Sequence, residues 1–124
     1  MLIHSRKQKQ KHNVLLILTD QQRYDAVGYV DPVVITPNID ALSRTSVVCT
    51  QTVVQSPQCQ PSRASLLTGR YPTALKMWWN EMSLDPSERT IGNILRNNGY
   101  HTGYFGKMHV EGIGGSTKIA DHFG

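Results

Sequence analysis

Five consecutive apolar residues, Val14-Leu15-Leu16-Ile17-Leu18, stand between Asn13 and the polar pair Thr19-Asp20. No alternation marks a wetted face, so the run reads as a strand covered on both sides, the pattern of a parallel sheet with helices above and below it. It is too short to cross a membrane, and no small-residue cleavage site follows it as in a secretory leader. Val47-Val48 to Val53-Val54, rich in β-branched residues, predicts a second strand, and Tyr100 to Phe105 a third.

Helix signals lie between these strands. Thr36-Pro37-Asn38 places an N-cap before a proline at the first helical position, with Ile39 and Leu42 on the inward face. Pro61 to Thr68 predicts a second helix with Gly69 as its C-cap. Ser87 to Asn98 predicts the clearest helix: Ser87 caps it, Ile91, Ile94 and Leu95 recur at helical spacing, and Gly99 stops it. Strands alternating with helices give an α/β class, a three-layer αβα architecture with a mostly parallel sheet. At 124 residues the chain supplies fewer strands than such a sheet usually has, so the sheet is expected to be incomplete. Cys49, inside the second strand, reads as core, and Trp78-Trp79 as core or a pocket wall.

Charge is unevenly placed. The formal net charge is +4, and Arg6, Lys7, Lys9 and Lys11 lie within residues 1–12 with no acid among them. The rest is balanced. Residues 1–12 are therefore expected to be a solvated, disordered basic tail ahead of a folded region at 13–124, with no nucleic-acid partner and no membrane partner. Two cysteines make no disulfide framework, and with no leader evident the expected compartment is the cytoplasm.

In parallel α/β sheets the ligand sits beyond the carboxyl ends of the strands. Asp20 follows the first expected strand, Cys59 the second, and Lys107 and His109 the third. A cysteine just before a helix started by Pro61 lies over unpaired N–H groups at the positive end of the dipole, a setting that binds anions and favours thiolate. Arg63, one turn on, can present a planar fork to an oxyanion or fix the nucleophile. A buried structural cysteine with a surface arginine is the equally open alternative.

Cys59-Gln60-Pro61-Ser62-Arg63, continued by Ala64-Ser65-Leu66-Leu67-Thr68-Gly69-Arg70, resembles the first signature of the sulfatases of the alkaline-phosphatase-like superfamily. Gly99 to His109 is similar to the second signature, and Asn13 to Gln21 to the family's opening strand. The resemblance implies that Cys59 is oxidised to formylglycine by a formylglycine-generating system. Its hydrated aldehyde would attack sulfur with one hydroxyl and release sulfate through the other, so that two difficult steps are separated. It further implies that Arg63 stabilises the formylglycine and that Lys107 and His109 bind the sulfate. Asp20, Gln21 and the modified Cys59 would hold a divalent metal, calcium first and magnesium or manganese as alternatives. Gly103 and Gly106 are expected to allow close backbone approach.

Many sulfatases carry a second Asp where this chain has Gln21. The Asp-Gln form also resembles phosphonate monoester and phosphodiester hydrolases, which keeps that reaction open beside hydrolysis of a small sulfate ester or a sulfated glycan. The resemblance covers residues 13–124 and only the N-terminal part of the family's catalytic domain, so these residues alone are expected to be marginally stable and inactive; a non-catalytic truncated remnant is the third reading. Asp121-His122 superficially resembles the family's later metal pair but comes too early for it.

Overall fold

The computed structural model describes residues 11–111. Residues 1–10, which hold most of the basic tail, and Asp121-His122 lie outside them. The chain divides into two compact units, Met1–Thr50 and Gln51–Gly124. Three helices form among the described residues: α1 at Pro37–Ser43, α2 at Cys59–Thr68 and α3 at Ile91–Asn97. None of them is long and apolar enough to cross a membrane.

The three expected strands do not appear among the described residues. Leu15 is 84% exposed and Ile17 78% exposed, where a strand sandwiched between helices would be dry. Val53 and Phe105 are exposed as well, and so is Cys49, which is not core. The physical reason is that a parallel ladder satisfies a strand only through its neighbours. An apolar run specifies what it would bury against, not that the partner is present.

In the first unit, Thr36 stands at the N-cap of α1 and Pro37 opens the helix, as its residue types require. The Thr36 hydroxyl nevertheless makes no capping bond. It accepts from the Gly28 N–H at 2.7 Å and donates to Asp40 Oδ1 at 2.8 Å. Asp40 Oδ1 also accepts from the Tyr29 N–H at 3.1 Å, so one carboxylate ties the turn at 27–31 to the first turn of α1. Ile39 and Leu42 do not face a core. Leu42 is 64% exposed and α1 buries none of its residues.

The second unit contains a small core. Ala64 of α2 packs with Leu75, Met77, Leu84 and Val110, flanked by Leu67, Met82 and Met108. The Leu84 N–H donates to the Val110 carbonyl at 2.8 Å, a main-chain bond between two core segments distant in sequence. Gly69 ends α2 in the left-handed conformation (φ 69°), which only glycine adopts without cost. Helix α3 lies against α2. It begins later than its sequence suggests, at Ile91, because Thr90 rather than Ser87 is the N-cap: the Thr90 hydroxyl accepts from the Asn93 N–H, and Asn93 Oδ1 accepts from the Thr90 N–H. Gly99, at φ 76°, stops it as expected.

Candidate active site

Helix α2 starts ahead of its proline, with Cys59 itself as first residue and Gln58 as an extended N-cap. Cys59 is half-buried. Arg63, one helical turn on, shares its helix face. The Arg63 guanidinium donates through Nη1 to the main-chain carbonyl of Lys107, and the Tyr104 hydroxyl donates to the same carbonyl at 2.6 Å. The second signature is thereby tied to the helix of the first through Arg63.

The start of α2 is not the open cradle of N–H groups that its sequence suggests. The Gln60 N–H donates to Asn80 Oδ1 at 3.0 Å, Pro61 has no N–H to offer, and the Ser62 N–H donates to the Gln58 carbonyl at 3.1 Å. Gln60 is fully buried and satisfied through its side chain: Oε1 accepts from the Glu81 N–H at 2.6 Å and Nε2 donates to the Met82 carbonyl. Gln58 Oε1 accepts from the Asn80 N–H at 2.9 Å. Gln58 and Asn80 carry no sequence signal of this role; for Gln60 the signal is a polar residue set between Cys59 and Pro61 on a helix that must bury one face.

His109 is half-buried, and its Nδ1 is buried with no hydrogen-bond partner among the described residues. Its backbone is left-handed at φ 52°, uncommon for a residue with a Cβ. Such strain concentrates where a side chain is aimed for use. Lys107 is exposed. Gly106 has no close neighbour among the described residues, since a Cβ there would meet none of them within 4 Å; its φ of 95° is what requires glycine. At Gly103 a Cβ would only reach Phe105 Cε2 at 3.5 Å, an ordinary contact. Trp78 and Trp79 are not core: they are 52% and 58% exposed, with ring centroids 6.1 Å apart.

Asp20 and Gln21 belong to the first unit and are exposed. Gln21 is left-handed at φ 51°. Their carboxylate and amide oxygens are hard donors of the kind calcium and magnesium take, although calcium draws on about six to eight oxygens. Among the described residues no three His, Cys, Asp or Glu side chains cluster to hold a metal.

A sulfatase family model matches residues 12–123. The chain belongs to the sulfatase family. It is 46% identical to an ulvan-active sulfatase of Formosa agariphila over 103 residues, covering 82% of this chain and 20% of that protein. It is 36% identical to mouse (Mus musculus) steryl-sulfatase, covering 89% of this chain and 20% of the relative. With bovine (Bos taurus) arylsulfatase A the identity is 38%, covering 82% of this chain and 21% of the relative. The chain thus spans about a fifth of the length of these sulfatase relatives. No solved structure matches it significantly. Membership carries the α/β class of the family to this chain.

Proposed function

We propose that this chain serves the hydrolysis of sulfate esters, with Cys59, oxidised to formylglycine, as the nucleophile. The observation that carries the reading is the link from Cys59's helix through Arg63 to Lys107, which joins the residues of both signatures within one unit. Family membership supports it. Arg63 holds the segment that bears Lys107 and His109 against the nucleophile's helix. Lys107 supplies a point charge for sulfate oxygens, and a protonated His109 donates to them. Formylglycine supplies a geminal diol, one hydroxyl for attack and a second whose proton loss expels sulfate.

Asp20 and Gln21, with the modified Cys59, are the residues we assign to a divalent cation, which would draw charge from the non-bridging oxygens. The partner that modifies Cys59 is a formylglycine-generating system. The substrate is a sulfate ester of a small alcohol or a glycan; relatives named as ulvan-active, steryl- and arylsulfatases support that class. In the same reading, residues 14–18, 47–54 and 100–105 are strands of the family's parallel sheet once neighbours flank them.

Two measurements test this. Intact mass after expression with a formylglycine-generating system should show Cys59 losing the elements of hydrogen sulfide and gaining one oxygen. Hydrolysis of an aryl sulfate, compared with an aryl phosphonate monoester, should favour sulfate. A preference for phosphonate would move the assignment to the phosphonate hydrolases that Gln21 resembles, and an unmodified Cys59 would remove the nucleophile.

A further inference from the structure

Both neighbours of Cys59 in the chain are fastened to one distant turn. Gln58 and Gln60 each bond to residues 80–82, through four hydrogen bonds: Asn80 N–H to Gln58 Oε1, Gln60 N–H to Asn80 Oδ1, Glu81 N–H to Gln60 Oε1, and Gln60 Nε2 to the Met82 carbonyl. Asn80 works from both ends, donating through its main chain to one neighbour and accepting through its side chain from the other. The turn presenting these groups passes through left-handed backbone at Glu81 (φ 76°). Gln60 is fully buried, and a buried amide is costly unless its polar atoms are matched. Here the main-chain N–H, Oε1 and Nε2 all are.

We propose that Gln60 and Asn80 are positioning residues for Cys59: together they clamp the first turn of α2 and set where the residue-59 side chain emerges. The argument starts from the helix end. First-turn N–H groups have no partner inside the helix, and Gln58 offers no side-chain bond to them, so this end would fray if left alone. Pro61 limits the alternatives, because it cannot donate. Asn80 Oδ1 takes the place of the missing cap at Gln60, and the Gln60 side chain locks the loop that carries Asn80. A reactive group on a first helical residue is held no better than that turn is held, and a displacement of about 1 Å at a reacting group costs heavily in rate. Gln58 and Asn80 lie outside the first signature, and Gln60 sits within it between Cys59 and Pro61.

The inference rests on reading Cys59 as the reactive position, but its test needs no sulfatase turnover, so the two fail separately. The full chain is prepared unmodified, with Cys49→Ser leaving Cys59 as the one thiol. Amide hydrogen exchange at Gln60 and the rate of Cys59 alkylation by iodoacetamide are measured at one pH, with circular dichroism as the control for folding. Asn80→Ala is expected to speed Gln60 exchange about fivefold, the factor carried by one ordinary hydrogen bond. It should also raise the alkylation rate several-fold on the same scale. Asn80→Asp keeps the Oδ acceptor and is expected to restore both rates toward those of the parent. Should Asn80→Ala lose its helical signal, Gln58→Ala, which deletes only the exposed arm of the clamp, is expected to raise both rates, with Gln58→Glu restoring them. Parent-like exchange and alkylation in the folded alanine variants would overturn the proposal. So would altered rates that neither acidic replacement restores, since that pattern belongs to packing alone.

Discussion

The guanidinium of Arg63 and the main-chain carbonyl of Lys107, 44 residues apart in sequence, are joined by a charge-assisted hydrogen bond. The same carbonyl receives the Tyr104 hydroxyl. Because the acceptor is main chain, the position of residue 107 depends on Arg63 and Tyr104 rather than on its own side chain, and two donors share one oxygen. Arg63→Ala should cost about 1 kcal/mol in urea unfolding, and Tyr104→Phe a similar or smaller amount. Their combination should exceed the sum of the two, because either donor alone still occupies the carbonyl. Strict additivity in the double-mutant cycle would show that the two donors act independently.

Met77 is fully buried in the core that α2 shares with Leu84 and Val110, whereas Leu42 stands in water. Met77→Ala is therefore expected to cost about 2–5 kcal/mol. Leu42→Ala should stay within about 0.5 kcal/mol. Thermal or urea unfolding of the two variants beside the parent decides it, and a large loss at Leu42 would mean that α1 does bury its apolar face.

What could be read from the sequence was local. Pro37 at a helix start, Gly69 and Gly99 at helix ends, and the two signatures were all legible, because a fixed φ, a left-handed residue or a motif needs no knowledge of distant chain. The start of α3 shows where local reading divides between two candidates. Ser87 and Thr90 both carry a capping hydroxyl, but Asp85 captures the N–H and hydroxyl of Ser87, while Thr90 finds a reciprocal partner in Asn93. The three expected strands do not form among the described residues for a different reason: apolar runs at 14–18, 47–54 and 100–105 declare a need for neighbours without supplying them. Asn80's bond to Gln60 spans 20 residues, from the first turn of α2 to the irregular chain beyond it, and no periodicity encodes such a contact.

Gly28 is tightly enclosed. A Cβ there would lie 2.4 Å from Asp40 Oδ2 and 2.8 Å from the Val34 carbonyl oxygen. The carboxylate cannot yield freely, since Asp40 Oδ1 holds the Thr36 hydroxyl and the Tyr29 N–H. Gly28→Ala is thus expected to destabilise the first unit by about 1–3 kcal/mol, the usual range for overpacking. Amide exchange at Gly28, Tyr29 and Asp40 reports it directly, and exchange as slow as in the parent would show that the turn has room.

Asp85 follows buried Leu84 and precedes Glu88, which pairs with Arg70 just beyond α2. Its Oδ1 accepts from the Ser87 N–H at 2.8 Å and from the Ser87 hydroxyl at 2.7 Å. Those two bonds, the main-chain one foremost, favour the ionised carboxylate and hold its pKa below the ordinary value, with the charge of Lys76 adding a lesser share. A pKa depressed on folding means that the folded chain binds the proton less readily than the unfolded one. Asp85 therefore stabilises the turn fully above the ordinary carboxylate value of about 3.9, and the contribution fades as pH falls below that value and through the folded one. Following the Asp85 carboxyl carbon and the Ser87 amide by NMR as pH is lowered should give a shared midpoint below that of an aspartate in an unfolded peptide. Asp85→Asn should abolish the titration at Ser87. A midpoint at or above the peptide value would mean that Ser87 does not hold the carboxylate in solution, and with it would go the reason α3 starts at Thr90 instead of at Ser87.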